Sequence, residues 1–122
     1  MFNYKTFIIE HPIENERYLV HACLEGPEAG VYYRGESKIT NNEYVEILLP
    51  EYTKVFSNFT VHITPQSRNL LYASKVVDSK FRVYGDNGEF YWLVHALRNK
   101  IKVEPLKTET RIRGEGPYMY TI

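Results

Sequence analysis

Short extended segments broken by turn residues are the feature that most constrains this chain. Within residues 59–65, Phe59, Val61 and Ile63 alternate with polar residues until Pro65. A period of two is typical of a strand with one buried face, and proline ends a strand ladder because it lacks a backbone N–H donor. An amphipathic helix would instead place its apolar residues three and four positions apart. The pattern therefore predicts a β-strand.

A second pair of alternating runs carries the strongest local signal. Residues 81–84 and 90–97 both read as strands, and Gly85-Asp86-Asn87-Gly88 separates them. Asn-Gly between two such runs favours positive φ at both central positions of a tight turn. The sequence therefore predicts a hairpin over residues 81–97, placed at the centre of the fold.

Further short strands are expected at intervals of roughly ten residues, as in sandwiches and barrels. The segments are 4–10, 17–25, 31–39, 44–49, 70–77, 101–104 and a last strand near Arg111 or Tyr118. Only residues 50–58 look helical, for a short turn after Pro50. A chain of 122 residues is long enough for one core of its own. We predict one all-β domain over residues 1–122, an antiparallel sandwich or barrel-like fold with at most one short helical turn.

Two of these segments, 90–97 and 17–25, are apolar on both faces. An antiparallel strand usually leaves one face to water, so a second apolar face needs another layer or another subunit to cover it. The eleven tyrosines either fill the surface of the sheet or lie in a subunit contact whose rim is accessible to water. The residues expected to form structural or subunit contacts are Trp92, Tyr91, Phe90, Leu93, Tyr32, Tyr33, His21, Glu25, Glu28 and Arg34.

Charge and cysteine content exclude several classes of protein. Fifteen Lys and Arg balance fifteen Asp and Glu, so no net charge attracts the chain to nucleic acid or anionic lipid. The same balance favours association, because neutral molecules repel one another little. No apolar run approaches the ~20 residues of a membrane span, and residues 1–10 do not resemble a signal peptide. Cys23 is the only cysteine, which excludes an internal disulfide.

One short segment has residues that could carry catalysis. On a strand, His21, Cys23 and Glu25 would share one face, and a Cys–His pair can form a thiolate nucleophile. No strand-to-helix elbow accompanies them, and a buried cysteine is commonly a small apolar residue. Glu25 and Glu28 flank a Gly-Pro turn, where they could hold the loop by accepting bonds from its amides or from Arg34. We therefore expect structural roles and no catalytic residue.

The four histidines do not show the paired spacing of a zinc motif. A structural, hydrogen-bonded role suffices for each, although a metal on a trimer axis would need only one histidine from each chain. No cofactor is expected. The histidines are His11, His21, His62 and His95.

Two long motifs resemble a known family. Residues 5–12, KTFIIEHP, and residues 18–35, YLVHACLEGPEAGVYYRG, are similar to a domain at the C-terminus of fibre-like surface proteins. That domain occurs in large DNA viruses, in phage tail fibres and after collagen-like repeats. Shorter matches extend the resemblance over nearly the whole chain, at 49–50, 58–61, 81–85, 88–92 and 114–118. The resemblance implies a homotrimer, with no established enzymatic chemistry.

From the resemblance we expect a viral structural protein, made in the host cytoplasm and located in the virion. It would decorate a capsid or form a fibre tip, bind other virion or fibre proteins, and attach to a host-surface glycan. No fibre region precedes Met1, which favours the capsid-decorating role. One alternative is a trimerisation or folding domain of a longer fibre. Another is a small hydrolase or self-cleaving chaperone that uses His21, Cys23, Glu25 and Glu28.

Overall fold

The computed structural model describes residues 6–115 and 119–121, and it is almost entirely β. Two short 3-10 turns, Glu51–Val55 and Lys107–Glu109, accompany the strands, and the second has no counterpart in the predicted pattern. The strands of the described residues do not close into a barrel. They are β1 (Thr6–Glu10), β2 (Tyr18–Ala22), β3 (Ala29–Ile39), β4 (Tyr44–Leu48), β5 (Ser57–Pro65), β6 (Tyr72–Ala73), β7 (Lys80–Tyr84), β8 (Gly88–Asn99), β9 (Ile112–Arg113) and β10 (Tyr120–Thr121). The all-β prediction is confirmed.

Two three-stranded antiparallel sheets form the body of the molecule. One has the order β3-β8-β5 and the other β4-β7-β6, so β8 and β7 are the central strands. Alternate side chains of each sheet point toward the other sheet, because successive residues of a strand face opposite sides. The buried residues of the main core are Ile39, Ile47, Leu49, Phe81, Val83, Phe90 and Val94.

The predicted hairpin over residues 81–97 is wrong. β7 and β8 follow one another in the chain, but they lie in different sheets, and Phe81 packs edge-to-face on Trp92 with ring centroids 5.8 Å apart. The connection is held by Asn87, whose side-chain oxygen accepts the Asn42 N–H at 2.6 Å, while its own N–H donates to the Asn42 side chain at 3.1 Å. Each strand buries its apolar side chains against the opposite sheet, and this burial outweighs the preference of the Asn-Gly sequence for a tight hairpin turn.

Several predicted strands are shorter in the structure. The predicted strand 17–25 ends at Ala22, where the ladder with β1 reaches Thr6, and the predicted strand 70–77 shrinks to β6. Residues 101–104 are not a strand. The predicted last strand corresponds to β9. Tyr4 and Tyr118 lie outside the described residues.

The terminal segments form strand pairs separate from the two main sheets. β1 and β2 form a two-stranded sheet of their own, and β9 pairs only with β10. Between residues 100 and 115 every side chain is exposed except Pro105 and Thr110, which are half-buried. The β1–β2 sheet buries residues such as Leu19 on its inward side, while its outward apolar residues Ile8 and Val20 stay exposed.

Candidate functional site

The outward side of the β3-β8-β5 sheet, here called the β8 face, collects four of the predicted site residues. On β8 the even-numbered residues from Phe90 to Ala96 point inward, so the odd-numbered residues point away from the core. The β8 face is formed by Tyr32, Arg34 and Glu36 of β3, His62 and Thr64 of β5, and Tyr91, Leu93 and His95 of β8.

Strand register sets the arrangement of this face. Leu93 lies between Arg34 and His62, and Tyr91 lies between Glu36 and Thr64. A shallow groove of about 680 Å³ runs over these residues. Tyr91 is 48% exposed and Leu93 is half-buried, so the groove offers apolar area beside a cation and a carboxylate. Such a mixture is typical of a surface that binds another molecule.

Trp92 and Phe90 do not belong to this face. Phe90 is fully buried in the core. Trp92 is half-buried on the inner side, where its indole covers Gly35 on the neighbouring strand. A Cβ atom at Gly35 would lie 2.8 Å from Trp92 Cζ2, so only glycine fits beneath this ring without a shift. These two residues lie on the inner side of the sheet, beneath the groove.

A hydrogen-bonded group at the end of the sandwich contains two more predicted residues, His21 and Tyr33. The Tyr33 hydroxyl donates to the Tyr52 hydroxyl at 2.9 Å, and Tyr52 lies 3.2 Å from His21 Nε2. Burial, aided by the Arg98 guanidinium, holds the pKa of His21 below its ordinary value of 6.5. Burial and the bond to Tyr52 raise the pKa of Tyr33. Tyr52 accepts the hydrogen bond from Tyr33 and shares a second hydrogen bond with His21, so these three side chains tie β2 to β3.

The predicted His21, Cys23 and Glu25 face does not form, because β2 ends at Ala22. Cys23 is exposed in the following loop rather than buried, and the one ring nitrogen of His21 with a described bond contacts Tyr52. Glu25 and Glu28 are both exposed in the same loop. Arg34 lies within β3, beside Leu93 of β8, six residues beyond Glu28.

The remaining histidines are divided between two places. His11 Nδ1 accepts the backbone N–H groups of Ile13 and Glu14 at 3.1 and 3.0 Å, so it holds the turn after β1. His62 and His95 lie on the β8 face with ring centroids 6.3 Å apart. Among the described residues, no three or more His, Cys, Asp or Glu side chains come together in a way that could hold a metal ion.

Sequence reasoning missed Tyr52 and Arg98. Tyr52 lies in the 3-10 turn Glu51–Val55 and joins His21 to Tyr33, while the Arg98 guanidinium lies 4.1 Å from the centre of the Phe7 ring. It also missed a row of tyrosines on the outward side of the other sheet, Tyr44, Tyr84 and Tyr72. No pattern within one segment reveals these groups, because each joins residues from separate strands or turns.

Apolar side chains are concentrated on the outward surfaces of the terminal segments. Eleven of the eighteen large hydrophobic side chains exposed in the described residues belong to residues 6–28 or 100–121. Ile8 and Val20 lie directly opposite each other on the outward side of the β1–β2 sheet and are 59% and 55% exposed. The others are Ile13, Tyr18, Leu24, Ile101, Val103, Leu106, Ile112, Met119 and Tyr120.

Comparison of the chain with protein-family models, curated proteins and solved structures gives no match. No helix in residues 6–115 or 119–121 is long and apolar enough to cross a membrane.

Proposed function

We propose that this chain is a self-assembling structural protein of a virion that works as a homotrimer. The proposal rests on one observation. The exposed apolar side chains are concentrated in the terminal segments, while the body has a buried apolar core of its own. Burying one such side chain contributes about 1.5–3 kcal/mol, so several together offset an association cost of about 4–15 kcal/mol. The zero net charge of the chain adds little repulsion against assembly.

The number of subunits and the location in a virion are supported by the resemblance of residues 5–12 and 18–35 to fibre-protein domains. In this role the domain decorates a capsid or ends a fibre, and it contacts other virion proteins. A folding domain that registers the chains of a longer fibre would use the same trimer. The two roles differ in what is attached to the domain, so fusion to a collagen-like segment separates them: a registering domain raises the melting temperature of that segment.

A second function, attachment to a host-surface glycan, is favoured by the groove of the β8 face. Its volume of about 680 Å³ suits a small ligand, and it combines the Tyr91 ring with the polar side chains of Arg34, Glu36 and His62. Aromatic rings pack on the apolar faces of sugars, while charged and amide groups bond their hydroxyls. Tyr91→Ala is expected to abolish binding on a glycan array, whereas Tyr72→Ala, an exposed tyrosine of the other sheet, is the matched control.

Light scattering of the purified full chain at micromolar concentration tests the main proposal. A mass three times that of one chain supports it, and detection of the protein in purified particles supports the virion location. A monomer over the whole concentration range contradicts self-assembly. Glycan binding by such a monomer would leave attachment as the function.

A further inference from the structure

The two terminal segments carry opposite charge. Residues 6–28, here called the N-terminal hairpin, contain five glutamates and one arginine, with no lysine. Residues 100–115, which with 119–121 are called the C-terminal arm, contain five lysines and arginines and three glutamates. The formal net charge is therefore −4 on residues 6–28 and +2 on residues 100–115, in a chain whose total is zero. Opposite charge steers surfaces toward each other and fixes their register.

Both segments also expose apolar side chains beside these charges. On the N-terminal hairpin, Ile8 and Val20 form an outward pair next to Glu10. On the C-terminal arm, Ile101 is 53% exposed and Ile112 is 63% exposed. Apolar area with a charged rim is the usual composition of a protein–protein contact.

The start of the C-terminal arm lies on the inward side of the N-terminal hairpin. The arm follows Arg98, and Arg98 packs on the ring of Phe7. Phe7 lies on the inward side of β1, opposite His21, so its neighbour Ile8 points the other way. The start of the arm is therefore on one side of the hairpin, and the apolar pair of Ile8 and Val20 is on the other.

We infer that the C-terminal arm of one copy packs on the outward side of the N-terminal hairpin of a second copy. The inference rests on the proposed self-assembly and names the surfaces that carry it. The apolar side chains of the arm cover Ile8 and Val20, and its cations lie beside the hairpin glutamates. Because the two surfaces differ, the contact is head-to-tail, and such contacts close into a ring when the rotation between subunits allows it. A trimer is one such ring.

Charge reversal of exposed residues tests this contact in the full chain. The arm variant carries Arg111→Glu and Arg113→Glu, and the hairpin variant carries Glu10→Lys and Glu28→Lys. All four side chains are exposed, so the subunit fold is expected to survive. We expect each variant to associate about tenfold more weakly than the natural chain, because like charges then face each other. The control Lys75→Glu with Lys80→Glu, two exposed lysines of the body, is expected to associate normally.

Mixing the arm variant with the hairpin variant shows whether the contact is between chains. The reversed arm of one then meets the reversed hairpin of the other, so a tagged arm variant should capture the hairpin variant more strongly than it captures itself. Contact within one chain would give no such preference, which would overturn the inference. If the natural chain assembles and both variants assemble equally well, the contact is wrong while self-assembly stands. If the natural chain is monomeric, both the proposed self-assembly and this contact are wrong.

Discussion

The sandwich body and the terminal segments use the same alternating pattern with opposite outcomes. Ten of the eleven buried hydrophobic residues lie between residues 31 and 96, and only Leu19 belongs to a terminal segment. In the body, an inward residue such as Val94 meets the second sheet and is fully buried. In β1, the inward residues Phe7 and Ile9 are half-buried, whereas Ile8 points outward and is 59% exposed. Alternation therefore sets the side of the sheet on which a residue lies, and an apolar residue is buried only where another layer covers that side.

The largest effect is expected from removing a core aromatic side chain. Phe90→Ala should lower the free energy of unfolding by about 3–5 kcal/mol, since Phe90 is fully buried. Ile8→Ala, at an exposed position, should change it by no more than about 0.5 kcal/mol in the isolated subunit. Urea unfolding of both variants at low concentration gives the two values. Equal losses would contradict the division between body and terminal segments.

The next effect concerns the Trp92 and Gly35 pair within the body. Gly35→Ala should destabilise the fold by about 1–3 kcal/mol, because the new methyl group overlaps the indole ring. Gly26→Ala is the control, since no atom lies within 4 Å of a Cβ at that position. Thermal unfolding measures both variants. Adding Trp92→Phe to Gly35→Ala should recover part of the loss, and no recovery would mean that Trp92 does not cover Gly35.

A smaller effect concerns pH at the junction between the hairpin and the body. The folded-state pKa of His21 lies below 6.5, so the unfolded chain binds a proton more readily than the folded chain. The contribution of His21 to the free energy of unfolding is therefore greatest above pH 6.5, and it is lost as the pH falls through the pKa of His21 in the folded chain. Unfolding curves from pH 8 to pH 5 should show this loss, and His21→Gln should reduce it. An unchanged slope in His21→Gln would assign the pH dependence to other groups.

The smallest effect is expected at Cys23. Cys23→Ser replaces an exposed side chain beyond the end of β2, so stability should change by no more than about 0.5 kcal/mol and assembly should persist. Light scattering and thermal unfolding check both. Any hydrolytic or self-cleaving activity that disappears in Cys23→Ser would favour the enzymatic alternative over the structural role.

Local sequence patterns determined the long strands of the body and which of their side chains share a face. The alternation of residues 59–65 predicted β5, and the alternation of residues 90–97 predicted β8 with its two apolar faces. These predictions succeed because the pleat of an extended backbone alone sets a period of two. Tyr91, Leu93, Tyr32 and Arg34 could be proposed as surface residues for the same reason.

Only the tertiary structure decided which strands pair and which distant side chains meet. The run from Phe81 to Phe90 reads as a hairpin, yet its strands belong to different sheets because both then bury their apolar faces. The approach of Tyr52 to His21, 31 residues apart, likewise depends on how the 3-10 turn packs on the end of the sandwich. Pairing and packing depend on the free energy of the whole core, to which segments far apart in the chain contribute, whereas alternation depends on neighbouring residues alone.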